Sequence, residues 1–109
     1  MKGGKMKIFI IGSTAYQGKM KDHQTKLETE GHIVVLPALD DYAGKNELGV
    51  CEFNRACIEQ CDEIHVIWDG RSTGTIFDMG MAFMLRKPVK IIHINNKTFE
   101  NLFHQIAGQ

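Results

Sequence analysis

The chain has 109 residues, enough for one domain (1–109) with a single core and too few for two. Thirteen basic and thirteen acidic side chains cancel to a formal net charge of zero, so no charge field argues for nucleic acid or a membrane surface as partner. No apolar run approaches a membrane span, and the run behind Lys2, Lys5 and Lys7 is too short for a signal-peptide core.

These features predict a cytoplasmic protein whose fold starts near Met6, with Lys2 to Lys5 as a loose lead-in. Cys51, Cys57 and Cys61 read as free thiols. Cys57 and Cys61 share a helix face at a spacing of four, but no second Cys/His pair completes a zinc set. The five histidines (His23, His32, His65, His93, His104) are scattered, without HExxH spacing. The expectation is no metal site and no cofactor, with His65 and His93 packed in strands.

Strands and helices alternate along the chain. Lys7 to Ile11 is a continuous apolar run closed by Gly12-Ser13, the pattern of a strand buried on both faces. Tyr16 to Glu30 reads as a helix with Tyr16, Met20 and Leu27 inward, stopped at Gly31. Ile33 to Leu36 is a second strand ended by Pro37. Asp40 to Gly49, polar with two glycines, reads as a loop. Val50 to Cys61 is helical, with Phe53, Cys57 and Ile58 at core spacing. Glu63 to Trp68 is the third strand, Ile76 to Arg86 the third helix, and Val89 to Ile94 the fourth strand. Thr98 is positioned to cap a last helix, Phe99 to Ile106.

This alternation predicts an α/β fold, a flavodoxin/Rossmann-like three-layer sandwich around a four- to five-stranded parallel sheet. Such sheets bind ligands beyond the carboxyl ends of their strands, where strand order switches. Two loops qualify: Gly12-Ser13-Thr14 after the first strand, and Asp69 to Thr75 after the third. Their convergence would gather Ser13, Asp69, Ser72, Thr73 and Asp78 around one crevice.

Neither loop is a known nucleotide fingerprint, since the later glycines of GxGxxG and the GxxxxGK[ST] pattern are missing. Ser72-Thr73-Gly74-Thr75 can be a helix cap and nothing more. A helix start lined by small residues also offers N–H groups and a positive dipole end to an anion. Asp78 can be a carboxylate complementing that dipole. Its setting among Phe77, Met79, Met81 and Phe83 is a poor one for an idle charge. Met79, Met81, Met84 and Phe83 read as core or subunit contact.

The segment Asp62 to Val89 has a GT-x-x-[acid]-x-G-x-A core, Gly74 to Ala82, and a Lys87-Pro88-Val89 close. It resembles the nucleoside 2-deoxyribosyltransferase-like family, which includes nucleoside monophosphate N-glycosidases. Phe9 to Ser13, Gly31 to Pro37 and the Asn54 to Asp62 helix fall in matching order, so the resemblance covers nearly the whole chain. It implies a flavodoxin-like domain that binds a nucleoside or nucleotide and no nucleic acid, membrane or cofactor. Catalytic members use a carboxylate nucleophile on the anomeric carbon, the logic of retaining glycosidases.

By resemblance, the nucleophile falls on Asp78, where the family has glutamate. The phosphate-binding serine falls on Ser72, with Gly12 and Ser13 as the other half of the cradle and Thr73, Gly74 and Thr75 beside it. A tyrosine that orients the nucleophile falls on Phe9, an assisting aspartate falls on Asn54, and Asp69 is placed near the base or sugar. Three positions depart from the pattern. Aspartate is one methylene shorter than glutamate, about 1.5 Å, and a misplacement of about 1 Å can cost on the order of a hundredfold in rate. Phe9 cannot donate a hydrogen bond, and Asn54 cannot accept a proton or carry charge.

Two functional classes follow. One is N-glycosidic cleavage or deoxyribosyl transfer through Asp78, a transferase or hydrolase activity. The other is a nucleotide-binding protein, sensing or sequestering, that keeps the pocket without the chemistry. A third reading is an interaction module whose Met-rich helix packs a partner. Family members commonly form homo-oligomers, often with a neighbour completing the site.

Overall fold

The computed structural model describes residues 4–37, 46–94 and 99–108. Four strands carry the frame: β1 (Lys7–Gly12), β2 (Ile33–Val35), β3 (Glu63–Trp68) and β4 (Val89–His93). All pair in parallel in the order β2-β1-β3-β4. Strand order therefore reverses around β1 and β3, and the crevice beyond their carboxyl ends is the expected ligand position.

The register explains why the central strands read as unbroken apolar runs. Ile8, Phe9, Ile10 and Ile11 are all fully buried, because β1 is flanked on both sides and covered on both faces. Phe9 and Ile11 face one core with Ile58, Ile64, Val66 and Ala82. Ile8 and Ile10 face the other with Met20, Leu27, Val34 and Ile67. Each such aliphatic side chain contributes about 1.5–3 kcal/mol on burial.

Helix α1 (Gln17–Thr29) covers the second core, and α2 (Glu47–Gln60) and α3 (Thr73–Met84) cover the first. This is the expected three-layer α/β arrangement. Helix α4 (Phe99–Ala107) ends the described chain, with Leu102, Phe103 and Ile106 exposed.

Several boundaries differ from the sequence expectation, each for a capping reason. Helix α2 starts at Glu47 rather than Val50, since the Asn46 side chain accepts the Gly49 N–H at 2.8 Å. The last residues of the expected loop thus join the helix, and residues 40–45 lie outside the described ones. Helix α3 starts at Thr73 rather than Ile76, because Ser72 caps it. It ends at Met84 rather than Arg86. Arg86 adopts φ 57°, its N–H reaches the Phe83 carbonyl, and the Lys87 N–H reaches that of Ala82, the Schellman pattern. A single 3-10 turn, Thr14–Tyr16, precedes α1. The cap expected at Thr98 lies outside the described residues.

Strand β4 departs from the buried pattern. Val89 and Ile91 are exposed, and so is His93, which the sequence reading had packed. The strand lies at the sheet edge, and no described helix covers that side of it. Lys87 secures the preceding turn, its ammonium donating to the carbonyls of Glu59 (3.0 Å) and Cys61 (2.9 Å) at the end of α2. A cation at a helix C-terminus also complements the dipole.

Candidate functional site

Beyond β1 and β3, a serine caps the turn that follows each strand. Ser13 accepts the Ala15 N–H at 3.2 Å, closing the turn that leads into α1. Ser72 accepts from the Thr75 N–H (3.3 Å) and the Thr75 hydroxyl (2.9 Å), opening α3. With its lone pairs so engaged, the Ser72 hydroxyl keeps its own proton to donate. Gly12 holds the loop close to the sheet: a Cβ there would stand 3.1 Å from Met20 Sδ and 3.2 Å from Ile67 Cβ.

A cavity of about 340 Å³ lies between these turns. Gly12, Ser13 and Thr14 form one wall, and Ser72, Gly74 and Thr75 another. Pro37 after β2 and Val50 and Cys51 on α2 supply an apolar side, while Phe77, Asn54 and Asp78 complete it. The volume is in the range of small-molecule sites.

Asp78 is the electrostatic centre. It is 9% exposed, on the second turn of α3, and accepts a 3.4 Å hydrogen bond from Asn54 Nδ2. Burial raises its carboxyl to about 6, and the Asn54 amide pulls the other way. A carboxylate shifted by burial in a cleft is a candidate functional group. Asn54 is itself 5% exposed, held on α2 with its amide turned to Asp78. One member of the pair comes from α2 and the other from α3, whose packing over the sheet therefore sets the geometry.

Asp69, expected near base or sugar, is engaged within its own loop and is not among the cavity-lining residues. Its Oδ1 accepts the N–H groups of Arg71 and Ser72, each at 3.0 Å. Those N–H groups, Arg71 foremost, and the Tyr16 hydroxyl hold its carboxyl below the ordinary range. Gly70, at φ 86°, makes the bend that brings them round. Asp69 thus orders the loop that presents Ser72, and its bond from Tyr16 ties that loop to the one after β1.

Most residues named from sequence do meet here. Gly12, Ser13, Asn54, Ser72, Gly74, Thr75 and Asp78 line the cavity. Thr73 is exposed and is not among the lining residues. Phe9 is wholly buried in the core beneath and does not line the cavity either. Sequence reasoning missed Pro37, Val50, Cys51 and Phe77. Cys51 was within reach of it: three residues before Asn54 on one helix, it shares that residue's face.

A second groove of about 420 Å³ runs between α2 and α3 over Ile76, Met81, Met84 and Leu85, with Arg55 and Glu59 on its rim. It is larger and more apolar, and no buried titratable group lines it. Among the described residues no cluster of His, Cys, Asp or Glu could hold a metal ion. No helix among them is long and apolar enough to cross a membrane.

No family model matches the chain, and no curated protein matches it in sequence. Solved structures do match in fold. The 2-deoxyribosyltransferase of Leishmania mexicana superposes with a TM-score of 0.69 at 17% identity, over 89% of this chain and 70% of that one. The 2-deoxyribosyltransferase of Bacillus psychrosaccharolyticus gives 0.68 at 19% identity, over 91% and 80%. A CMP N-glycosidase of Clostridium botulinum gives 0.65 at 15% identity, over 92% and 82%. The chain has the α/β fold of these proteins.

Proposed function

We propose that this protein is a nucleoside 2-deoxyribosyltransferase-like protein that binds a nucleoside or nucleoside 5′-monophosphate and cleaves or exchanges its N-glycosidic bond. The observation that carries the reading is Asp78: a nearly buried carboxylate with its pKa raised to about 6, facing a cavity between two serine-capped turns. The shared fold with two deoxyribosyltransferases and a CMP N-glycosidase supports it.

In this reading the Ser13 and Ser72 hydroxyls and the start of α3 hold the 5′-phosphate or hydroxyl. Val50, Cys51, Pro37 and Phe77 give an apolar wall on which a base can lie. An Asp78 oxygen attacks the anomeric carbon as the bond to the base nitrogen breaks, and that electron pair leaves with the base, which takes up a proton. Water then attacks the glycosyl ester, losing a proton and freeing both the sugar and the carboxylate; a second base in place of water gives transfer. Asn54 orients Asp78. Asp69, ionised and engaged by N–H donors, holds the Ser72 loop rather than donating the proton.

A binder without chemistry is the second reading, and Phe9 favours it. The residue on the family's tyrosine position carries no hydroxyl and lies closed in the core. The deciding assay incubates the protein with ribo- and deoxynucleosides and their 5′-monophosphates, Asp78→Ala alongside, and reads free base by chromatography. Base released by the wild type and lost in Asp78→Ala establishes glycosyl transfer. No release, with a raised melting temperature on adding one compound, establishes the binder. Neither release nor stabilisation by any compound refutes both.

The assembly belongs to the same proposal. Phe77, Phe83, Met84 and Leu85 on and just after α3 are exposed, and Phe77 borders both the groove and the cavity. A homo-oligomer built on the α2–α3 face would cover them and wall the site. Light scattering on wild type and Phe83→Glu checks it, a monomeric wild type being the refuting result. The free thiols Cys51, Cys57 and Cys61 suit a reducing, cytoplasmic setting.

A further inference from the structure

On the opposite face of the sheet from the proposed site, three titratable side chains form a chain of hydrogen bonds. His23, midway along α1, approaches His65 on β3 with Nε2 and Nδ1 2.8 Å apart. His65 Nε2 is 2.9 Å from Glu63 Oε1. His65 is 2% exposed, His23 half-buried, and their rings lie 5.1 Å apart at 39°.

The network fixes the protons. An ionised Glu63 can only accept, so His65 carries its proton on Nε2 and offers a lone pair at Nδ1. His23 must then donate from Nε2, leaving its Nδ1 as the next place for a proton. One added proton is accommodated there, because His23 still donates to His65. A second added proton has only His65 Nδ1 to bind. It would set two N–H groups head to head across 2.8 Å, with a positive charge on each ring.

We propose that His23, His65 and Glu63 form a proton-counting clasp that fastens α1 to β3 and opens when both imidazoles are charged.

The surroundings sharpen the response. Lys26 from α1 and Lys90 from β4 add positive charge near His23, and Glu30 just after α1 offsets part of it. Lys19, Asp22 and His93 border the adjoining groove. Burial, His65 and the two lysines together hold His23 below its ordinary pKa. The unfolded chain therefore binds more protons than the folded one as the pH drops through 6.5, and stability falls with acid. Helix α1 begins just after the Ser13 turn, and Tyr16 there bonds Asp69 on the loop after β3. Loosening α1 disturbs the frame that holds those two loops together. The clasp itself does not depend on which ligand the crevice takes.

The test compares wild type with His23→Gln, whose amide donates to a neutral His65 Nδ1 or, flipped, accepts from a protonated one, and does not titrate. Thermal unfolding is followed between pH 8 and pH 5, and the difference at each pH cancels every other titrating group. In wild type the unfolded-to-folded ratio should rise by up to about tenfold per pH unit for each excess proton. The glutamine variant should lose about one proton's worth of that slope. Imidazole nitrogen resonances and α1 amide exchange in wild type give a second reading that needs no variant. One imidazole should protonate with the α1 amides still protected, and the second only as that protection is lost. An unchanged acid slope in His23→Gln, or both imidazoles protonated with α1 still protected, overturns the clasp. If the variant does not fold, the wild-type resonances decide alone.

Discussion

Replacing Asp78 by asparagine should make the protein more stable, and only above the pH at which the carboxyl of the unfolded chain ionises. The carboxyl moves from 3.8 to about 6 because folding removes it from water. That shift is about two pH units of differential proton affinity, or about 3 kcal/mol at 1.36 kcal/mol per unit. The sign follows from linkage. Below 3.8 both folded and unfolded chains hold the proton, and burial of a neutral carboxyl is tolerated. Between 3.8 and 6 the unfolded chain ionises while the folded one keeps its proton, so wild-type stability falls as the pH rises. Above 6 the folded chain bears the full burden of a charge in a closed site. Asparagine keeps the shape and still accepts from Asn54 through its Oδ1, but never ionises. At pH 7.5 the variant should be more stable by about 2–3 kcal/mol, and at pH 4 the difference should shrink to about 0.5 kcal/mol. In a domain this size about 1 kcal/mol moves Tm by roughly 4–8 °C. Melting followed by circular dichroism across that pH range measures it. A variant no more stable at pH 7.5 than wild type, or a difference independent of pH, refutes the reasoning. A gain in stability with loss of a buried charge is the pattern of a site kept for function.

Three further outcomes follow from the same geometry. Asn54→Ala removes the one bond that lowers the Asp78 carboxyl, so its titration, read by carbon-13 resonance, should move above 6. Ser72→Ala strips the cap from α3 and should cost about 1 kcal/mol in denaturant melts, with loss of ligand stabilisation as well. Gly12→Ala puts a methyl against Met20 and the Ile67 side chain, and the adjustment should cost about 1–3 kcal/mol by the same measurement.

What could be read from the sequence depended on period and punctuation. The runs Lys7 to Ile11 and Glu63 to Trp68 are apolar without alternation because both faces of a central strand are covered. That property is written in composition, so the α/β fold and the crevice beyond β1 and β3 were legible. So was the pairing of a small-residue helix start with Asp78. The helix starts were less legible, because Asn46 and Ser72 act through hydrogen bonds to residues three positions on, and each moved its helix start by three residues.

The sequence by itself determined the alternation of strand and helix, the two loops at the strand ends and the acid that lies between them. Tertiary structure alone decided the rest. Asp69 ties its own loop together because Arg71, Ser72 and Tyr16 all reach its carboxylate. Cys51 and Pro37 joined the cavity because α2 and the end of β2 come together over it. Strand β4 lost its cover because it stands at the edge. His23 met His65 across 42 positions of sequence. The physical reason is common to all four: local pattern fixes which face a residue takes, and only packing fixes what it faces.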